Sequence, residues 1–250
     1  LHADHLIKEN EKFYDSLVTA QETAALNLLT LLGVSPTSPE TGYGYIQTAM
    51  KNQLQEDRFW FSVNSFKEKP NFKLAVEYVQ KDSFYWNSGM FVWKIETLLS
   101  ELEAYLPETY SALLRWSQSS AKKKFQFESL KNLYDELTSV SIDEAIFEKS
   151  KKIAMIKSSF TWMDVGSWDR LSQIVNERDS QDNIKSSNSF LLDCTNSIVE
   201  SDEPFIAALG LKDMVVIAHG GAVLVCSKNK SQDVKEVVQY LKKEKKIDLL

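Results

Sequence analysis

The stretch Leu28-Leu-Thr-Leu-Leu-Gly-Val34, running directly into Ser35-Pro-Thr-Ser-Pro-Glu-Thr-Gly-Tyr-Gly-Tyr45, decides the fold class. Its first part is a short unbroken apolar run and reads as a buried strand, whereas its second is so dense in proline, glycine and serine that only a loop fits. Upstream, Phe13, Leu17, Ala20, Ala24 and Leu28 recur every three or four residues, which predicts an amphipathic helix over residues 9–28. Downstream, a short strand at Tyr45-Ile46 is followed by an aromatic strand (58–66), a helix (72–80) and a strand (89–93). Residues 95–116 read as helix interrupted at Pro107, 121–125 as a lysine-bearing surface connector, 142–148 as helix, 153–157 as strand and 167–175 as helix. Alternation of this kind indicates an α/β architecture: a Rossmann-like mixed sheet, mainly parallel, with helices on both faces.

The texture changes near Asp179. A polar, turn-rich run over 180–189 leads into five short apolar stretches at 190–194, 196–201, 205–209, 214–218 and 222–226, with no helical pattern between them. Residues 231–246 then close the chain as a helix with Val234, Val237, Val238 and Leu241 on one face and lysines toward its end, where the helix dipole favours them. The expected organisation is therefore a larger part over 1–179 and a small β domain with a C-terminal helix over 180–250. No internal repeat of solenoid period is evident.

Composition narrows the function classes. With 250 residues, 43% hydrophobic and 26% charged, the chain can bury a large core and is neither fibrous nor disordered. Lys plus Arg number 29 against 35 Asp plus Glu, a balance of −6 and the wrong sign for a nucleic-acid footprint. No run approaches the roughly 20 apolar residues of a membrane helix and no signal-peptide pattern opens the chain, so neither a membrane nor a nucleic acid is an expected partner and the cytoplasm is the expected location. Cys194 and Cys226 lack metal spacing and read as reduced packing residues. The chain opens Leu1-His-Ala-Asp-His5, with no initiator methionine, and reads as cut at the front.

Five short stretches could carry chemistry, and each also has a plain structural reading. Asp4 in Ala3-Asp-His5 is a loop or cap residue, or a metal ligand. Gly42-Tyr-Gly44 is a turn, or a close backbone approach to a ligand. Lys67-Glu-Lys-Pro70 is a solvated charged turn, or a carboxylate for hydroxyls beside an ammonium for phosphate. Asn87, inside Tyr85-Trp-Asn-Ser-Gly-Met-Phe91, is a polar handle among aromatics that suits a sugar face or a core edge. Asp164, in Trp162-Met-Asp-Val-Gly166 and the Ser-Trp that follow, is a helix cap or a ligand for a hard cation.

Taken together and in this order, these stretches, with Ser141-Ile-Asp-Glu-Ala-Ile146 and Glu148-Lys149, resemble the sugar-phosphate nucleotidyltransferases, in particular their mannose-1-phosphate guanylyltransferase branch, over residues 1 to about 230. The resemblance implies an enzyme in which an oxygen of mannose-1-phosphate attacks the α-phosphorus of GTP, giving GDP-mannose and pyrophosphate with Mg²⁺ as cofactor. It implies that Asp4 and Asp164 share the Mg²⁺, that Glu68 holds sugar hydroxyls, that Lys69 contacts the sugar phosphate, and that Asn87 with the backbone at Gly44 completes the sugar cradle. On this reading Asp4, Lys69 and Asp164 are the catalytic set, the partners are small-molecule substrates, and a homo-oligomer is left open. His5 and Trp168 are expected to be structural neighbours.

One departure stands out. The family's Gly-rich, Arg- and Lys-bearing triphosphate loop has no counterpart, since the single Gly-Gly, Gly220-Gly221, lacks the basic residues. Two or three βα units are expected to be missing in front, at ~30 residues per unit, and the 250 residues alone are expected not to complete guanylyl transfer. Isomerase activity is not expected. The competing expectations are a non-catalytic sugar-phosphate-binding or assembly subunit, and a related glucose-1-phosphate nucleotidyltransferase.

Overall fold

The computed structural model describes residues 2–55, 57–118, 126–166 and 177–249; the expected connector over 121–125 and the expected helix over 167–175 lie outside the described residues. Two compact units emerge, one of Leu1–Ala3 with Ile7–Trp162 and one of Asp4–Leu6 with Met163–Leu250.

The chain order begins β1 (His5–Ile7), α1 (Asn10–Ala24), β2 (Leu29–Val34), β3 (Tyr45–Gln55), β4 (Arg58–Lys67), α2 (Phe72–Val79) and β5 (Phe84–Val92). It continues α3 (Ile95–Tyr105), α4 (Pro107–Gln118), α5 (Phe127–Glu136), a π-helical turn at Asp143–Phe147, β6 (Ile153–Lys157) and β7 (Trp162–Asp164). The first unit is built on a five-stranded closed barrel in the order β2-β5-β3-β4-β6. The sheet is mixed, as the sequence indicates, but only β2 and β6 run parallel; β2–β5, β3–β5, β3–β4 and β4–β6 are antiparallel. The expectation of mainly parallel pairing fails because β3 and β4 form a hairpin paired out to Gln55 opposite Arg58, and a direct hairpin can only be antiparallel. It also makes β3 far longer than the Tyr45-Ile46 strand expected: its outer half is polar and half exposed, so it carries no hydrophobic signature.

Neighbouring residues on one strand serve opposite cores. Leu31, Ile46, Tyr85 and Met155 join one apolar cluster with Ala145, Ile146 and Phe147 of the π-helical turn, while Leu32, Tyr45, Trp86 and Ile156 join another with Ala20 of α1 and Ala75 of α2. This two-sided burial is why Leu28 to Val34 has no polar alternation. α1 also buries Ser16, Thr19 and Thr23, whose hydroxyls donate to the carbonyls of Lys12, Asp15 and Thr19 four residues back, so none is left unsatisfied. Pro107 opens α4, as the interruption predicts.

In the second unit β8 (Ile184–Lys185), β9 (Ser189–Leu192), β10 (Ile198–Ser201), β11 (Ile206–Leu209), β12 (Met214–His219) and β13 (Ala222–Ser227) precede α6 (Val234–Lys243). β8, β10 and β12 stack in parallel in one ladder and β9 and β11 in another, with β13 antiparallel on β12, so the chain coils from one ladder to the other. Ile198 faces Val215, Ser189 faces Ile206, and the Asn196 amide donates to the Asp213 carboxylate 17 positions on. The coil is an internal repeat after all. It escapes a sequence search because its constant features are corner residues with left-handed backbone, Asp193 and Gly210, Asn196 and Asp213, and those differ in type. Cys194 is buried with Val199, Ala208 and Val216, and Cys226 packs against Ile184, Ile198, Val215 and Ile217.

Asn183 holds the start of the coil. It is 2% exposed, its amide donates to the Cys194 carbonyl (2.8 Å) and to both Asp179 carboxylate oxygens (3.1 Å each), and its own carbonyl accepts from the Ser197 N–H (2.9 Å). Asn183→Ala strands a buried N–H and a buried C=O, and is expected to cost about 2–4 kcal/mol in denaturant unfolding. An unchanged midpoint would contradict this account of the coil.

Candidate functional site

The site is assembled where β4 ends. β4 pairs with β3 through Lys67 opposite Tyr45, and the chain then turns at Lys69, whose backbone sits in the left-handed region (φ 41°), before Pro70. The turn folds the Lys69 ammonium back onto its neighbour, donating to Glu68 Oε1 at 2.6 Å. That bond, above all, raises the Lys69 pKa; desolvation opposes it and the charges of Glu68, Asp143 and Glu144 reinforce it, so Lys69 is cationic throughout the neutral range. The Glu68 side chain is only 13% exposed while that of Lys69 is 63% exposed, so the carboxylate is fixed and the ammonium can swing. Space for Glu68 comes from Gly44: a Cβ there would stand 2.6 Å from Glu68 Oε2, 3.0 Å from Phe66 Cζ and 3.3 Å from Asn87 Cβ.

Asn87 enters from β5. The β2–β5 register shifts between Leu31 opposite Phe91 and Gly33 opposite Asn87, and the bulge passes through Ser88, whose buried hydroxyl donates to the Leu32 carbonyl, and Gly89, whose φ of +69° suits glycine. The Asn87 N–H donates to the Gly44 carbonyl (2.8 Å), so loop and strand are tied together. Its side-chain oxygen accepts from the Gly89 N–H (3.0 Å) and its amide donates to Asp143 Oδ1 (2.9 Å). The second hydrogen of that amide has no partner among the described residues. Burial raises the Asp143 pKa, and the Glu68 charge adds to the rise against the hydrogen bonds that lower it.

The structure therefore brings Gly44, Glu68, Lys69 and Asn87 together, and adds two carboxylates to which sequence reasoning gave no role. Asp143 holds Asn87. Glu148 Oε1 accepts from the Glu68 N–H (3.0 Å) and the Lys67 ammonium (2.9 Å). Burial works against ionisation of Glu148, but the bonds from Lys67 and the Glu68 amide outweigh it and the pKa falls.

Asp4 and Asp164 lie in the other unit. β1 and β7 form a two-stranded ladder, and since the Lys8 N–H just beyond β1 donates to the Thr161 carbonyl just before β7, the strands run antiparallel. Asp4, immediately before β1, and Asp164, the last residue of β7, thus share one end of that ladder. Asp4 and His5 offer ligand atoms within 4.8 Å of each other. The half-buried Asp164 carboxylate lies against Gly166, where a Cβ would come 2.9 Å from its Oδ1. Trp168 is outside the described residues.

A separate hollow of about 720 Å³ is lined by α1, the turn end of the β3–β4 hairpin, the end of β6 and the two serines that follow it. Its cations are engaged: Arg58 on Glu22 at 2.5 Å, Lys51 over the Phe59 ring at 3.7 Å and Lys157 over the Tyr85 ring at 5.5 Å.

Residues 1–181 match the family described as nucleotidyl transferase, and residues 187–241 the one described as MannoseP isomerase/GMP-like beta-helix domain. The chain belongs to the nucleotidyltransferase family. Its second match fits the coil of parallel strands that follows. The chain is 33% identical over 249 residues to a mannose-1-phosphate guanylyltransferase of Escherichia coli, covering 99% of the chain and 52% of the relative, and 34% identical over 245 residues to that of Klebsiella pneumoniae, covering 97% and 51%. It spans about half the length of these curated relatives. Among solved structures it resembles one described as mannose-1-phosphate geranyltransferase from Thermus thermophilus, with TM-score 0.81 and 31% identity over 96% of this chain and 68% of that one.

Gly44→Ala is expected to leave the fold in place, because the nearest atom is the far end of a side chain and not backbone, while pushing the Glu68 carboxylate out of its packed position. Circular dichroism should be unchanged, and a crystal structure of the variant should show Glu68 Oε2 displaced from its place beside residue 44. An unmoved carboxylate would contradict this description of the packing.

Proposed function

We propose that this chain is the sugar-phosphate-binding and metal-binding part of a mannose-1-phosphate guanylyltransferase, which forms GDP-mannose and pyrophosphate from mannose-1-phosphate and GTP with Mg²⁺. The observation that carries the reading is the convergence of Glu68, Lys69 and Asn87 around the bare backbone of Gly44, in a chain whose curated relatives bear that activity in their names.

The roles follow from the donor and acceptor inventory. Glu68 is acceptor-only and held by its amide and by packing, so it accepts hydrogen bonds from hydroxyls of the sugar. Lys69, exposed and cationic, leaves Glu68 for the phosphate, which it meets as a point charge. Asn87, with its oxygen occupied and one N–H given to Asp143, contributes a single donor of fixed direction. Fixing sugar and phosphate in this way orients the phosphate oxygen for in-line attack on the α-phosphorus, with cleavage of the bond to pyrophosphate and no covalent enzyme intermediate. Asp4 and Asp164, two hard carboxylates at one end of the β1–β7 ladder, are the residues that would hold Mg²⁺. When bound, the ion supplies charge neutralisation for the phosphates.

Lys69→Ala is expected to weaken mannose-1-phosphate binding about 10- to 100-fold, the range of a charge-assisted contact, and GTP binding far less. Calorimetric titration of the chain and the variant with each ligand checks this. Equal losses for both ligands would show that Lys69 is misassigned.

A further inference from the structure

Residues 143 and 148 lie five apart. In an α-helix, residues four apart stack on one face because the bond runs from the N–H of one to the carbonyl four back; in a π-helical turn the bond spans five, and the stacking moves with it. Here the Glu148 N–H donates to the Asp143 carbonyl at 3.0 Å. The turn is secured before its first residue by Ser141, whose hydroxyl accepts from the Glu144 N–H (3.2 Å), and from below by the buried side chains of Ala145, Ile146 and Phe147.

The two acidic ends of this turn reach the two halves of the sugar-phosphate site. Asp143 takes one hydrogen of the Asn87 amide, and Glu148 takes the Glu68 N–H together with the Lys67 ammonium. None of these three bonds is part of the barrel's own ladders. We infer that Asp143 and Glu148 are positioning residues, set on one face by the π-helical turn, which fix the Asn87 amide and the Glu68-Lys69 turn relative to each other and so determine how a sugar phosphate is held. The inference deepens the proposed function and rests on it for the identity of the ligand, but not for the hold on Glu68 and Asn87. A regular α-turn over the same residues would rotate one carboxylate away, and one half of the site would lose its anchor. This accounts for a wide turn in a segment that packs three buried residues.

The test uses the 250-residue chain and two readouts, amide hydrogen exchange at Glu68 without ligand and calorimetric titration with mannose-1-phosphate. Glu148→Ala is expected to speed exchange of the Glu68 N–H and to weaken binding, each about tenfold, the worth of one charged hydrogen bond. Glu148→Gln keeps an oxygen for that N–H and should restore both. Asp143→Ala should weaken binding likewise through Asn87, with Asp143→Asn restoring it, and this second pair carries the test should Glu148→Ala not fold. Exchange in β2 should stay at its native level in all four variants; a general loss of protection would reveal a merely structural turn and overturn the inference. Native exchange at Glu68 and native affinity in Glu148→Ala, alongside weakened binding in Lys69→Ala, would also overturn it while leaving the proposed function standing. Fast exchange at Glu68 with native affinity in both Glu148→Ala and Lys69→Ala would support the hold on Glu68 and remove the proposed ligand instead.

Discussion

A carboxylate pressed against bare backbone is the constraint on which this site depends. Glu68 is almost covered, and one of its oxygens stands only 2.6 Å from where any side chain at position 44 would begin. A charge so placed must be balanced and hydrogen-bonded, since an unpaired buried charge costs several kcal/mol. The surroundings answer that demand: Lys69 turns back onto it through a left-handed residue, and Glu148 grips the backbone amide of Glu68 itself. The bond from the Asn87 N–H to the Gly44 carbonyl then ties the loop to β5, so the glycine serves two neighbours at once.

The barrel makes this closeness achievable. β3, β4 and β5 pair side by side, so the start of β3, the end of β4 and the middle of β5 meet at one rim. Cores on both faces of the strands hold the rim rigid, and the bulge in β5 aims Asn87 toward it. Placing these groups on strand ends rather than on long loops limits their freedom to move, which the proposed in-line transfer would require.

Much of this was legible in the chain. Glu68, Lys69, Asn87 and Gly44 each admit a plain structural reading by residue type, and it is the resemblance of the ordered stretches that implies one shared site; the structure gathers all four. The strand at Leu29–Val34 and the break at Pro107 were equally plain. What was hidden depends on backbone state rather than residue type. A count at 3.6 residues per turn sends Asp143 and Glu148 to different faces, and only the wider turn unites them. The long hairpin lacks apolar alternation, and the coil repeats corner geometry through unlike residues, so pattern reading passed over both.

The most direct measurement is a crystal structure of the chain with mannose-1-phosphate. The phosphate should lie against Lys69 Nζ, freed from Glu68, with sugar hydroxyls on the Glu68 carboxylate and the unshared Asn87 N–H, and with Asp143 and Glu148 holding their present partners. A sugar phosphate lodged instead in the hollow lined by Lys51, Arg58 and Lys157, with Lys69 still bonded to Glu68, would contradict the account.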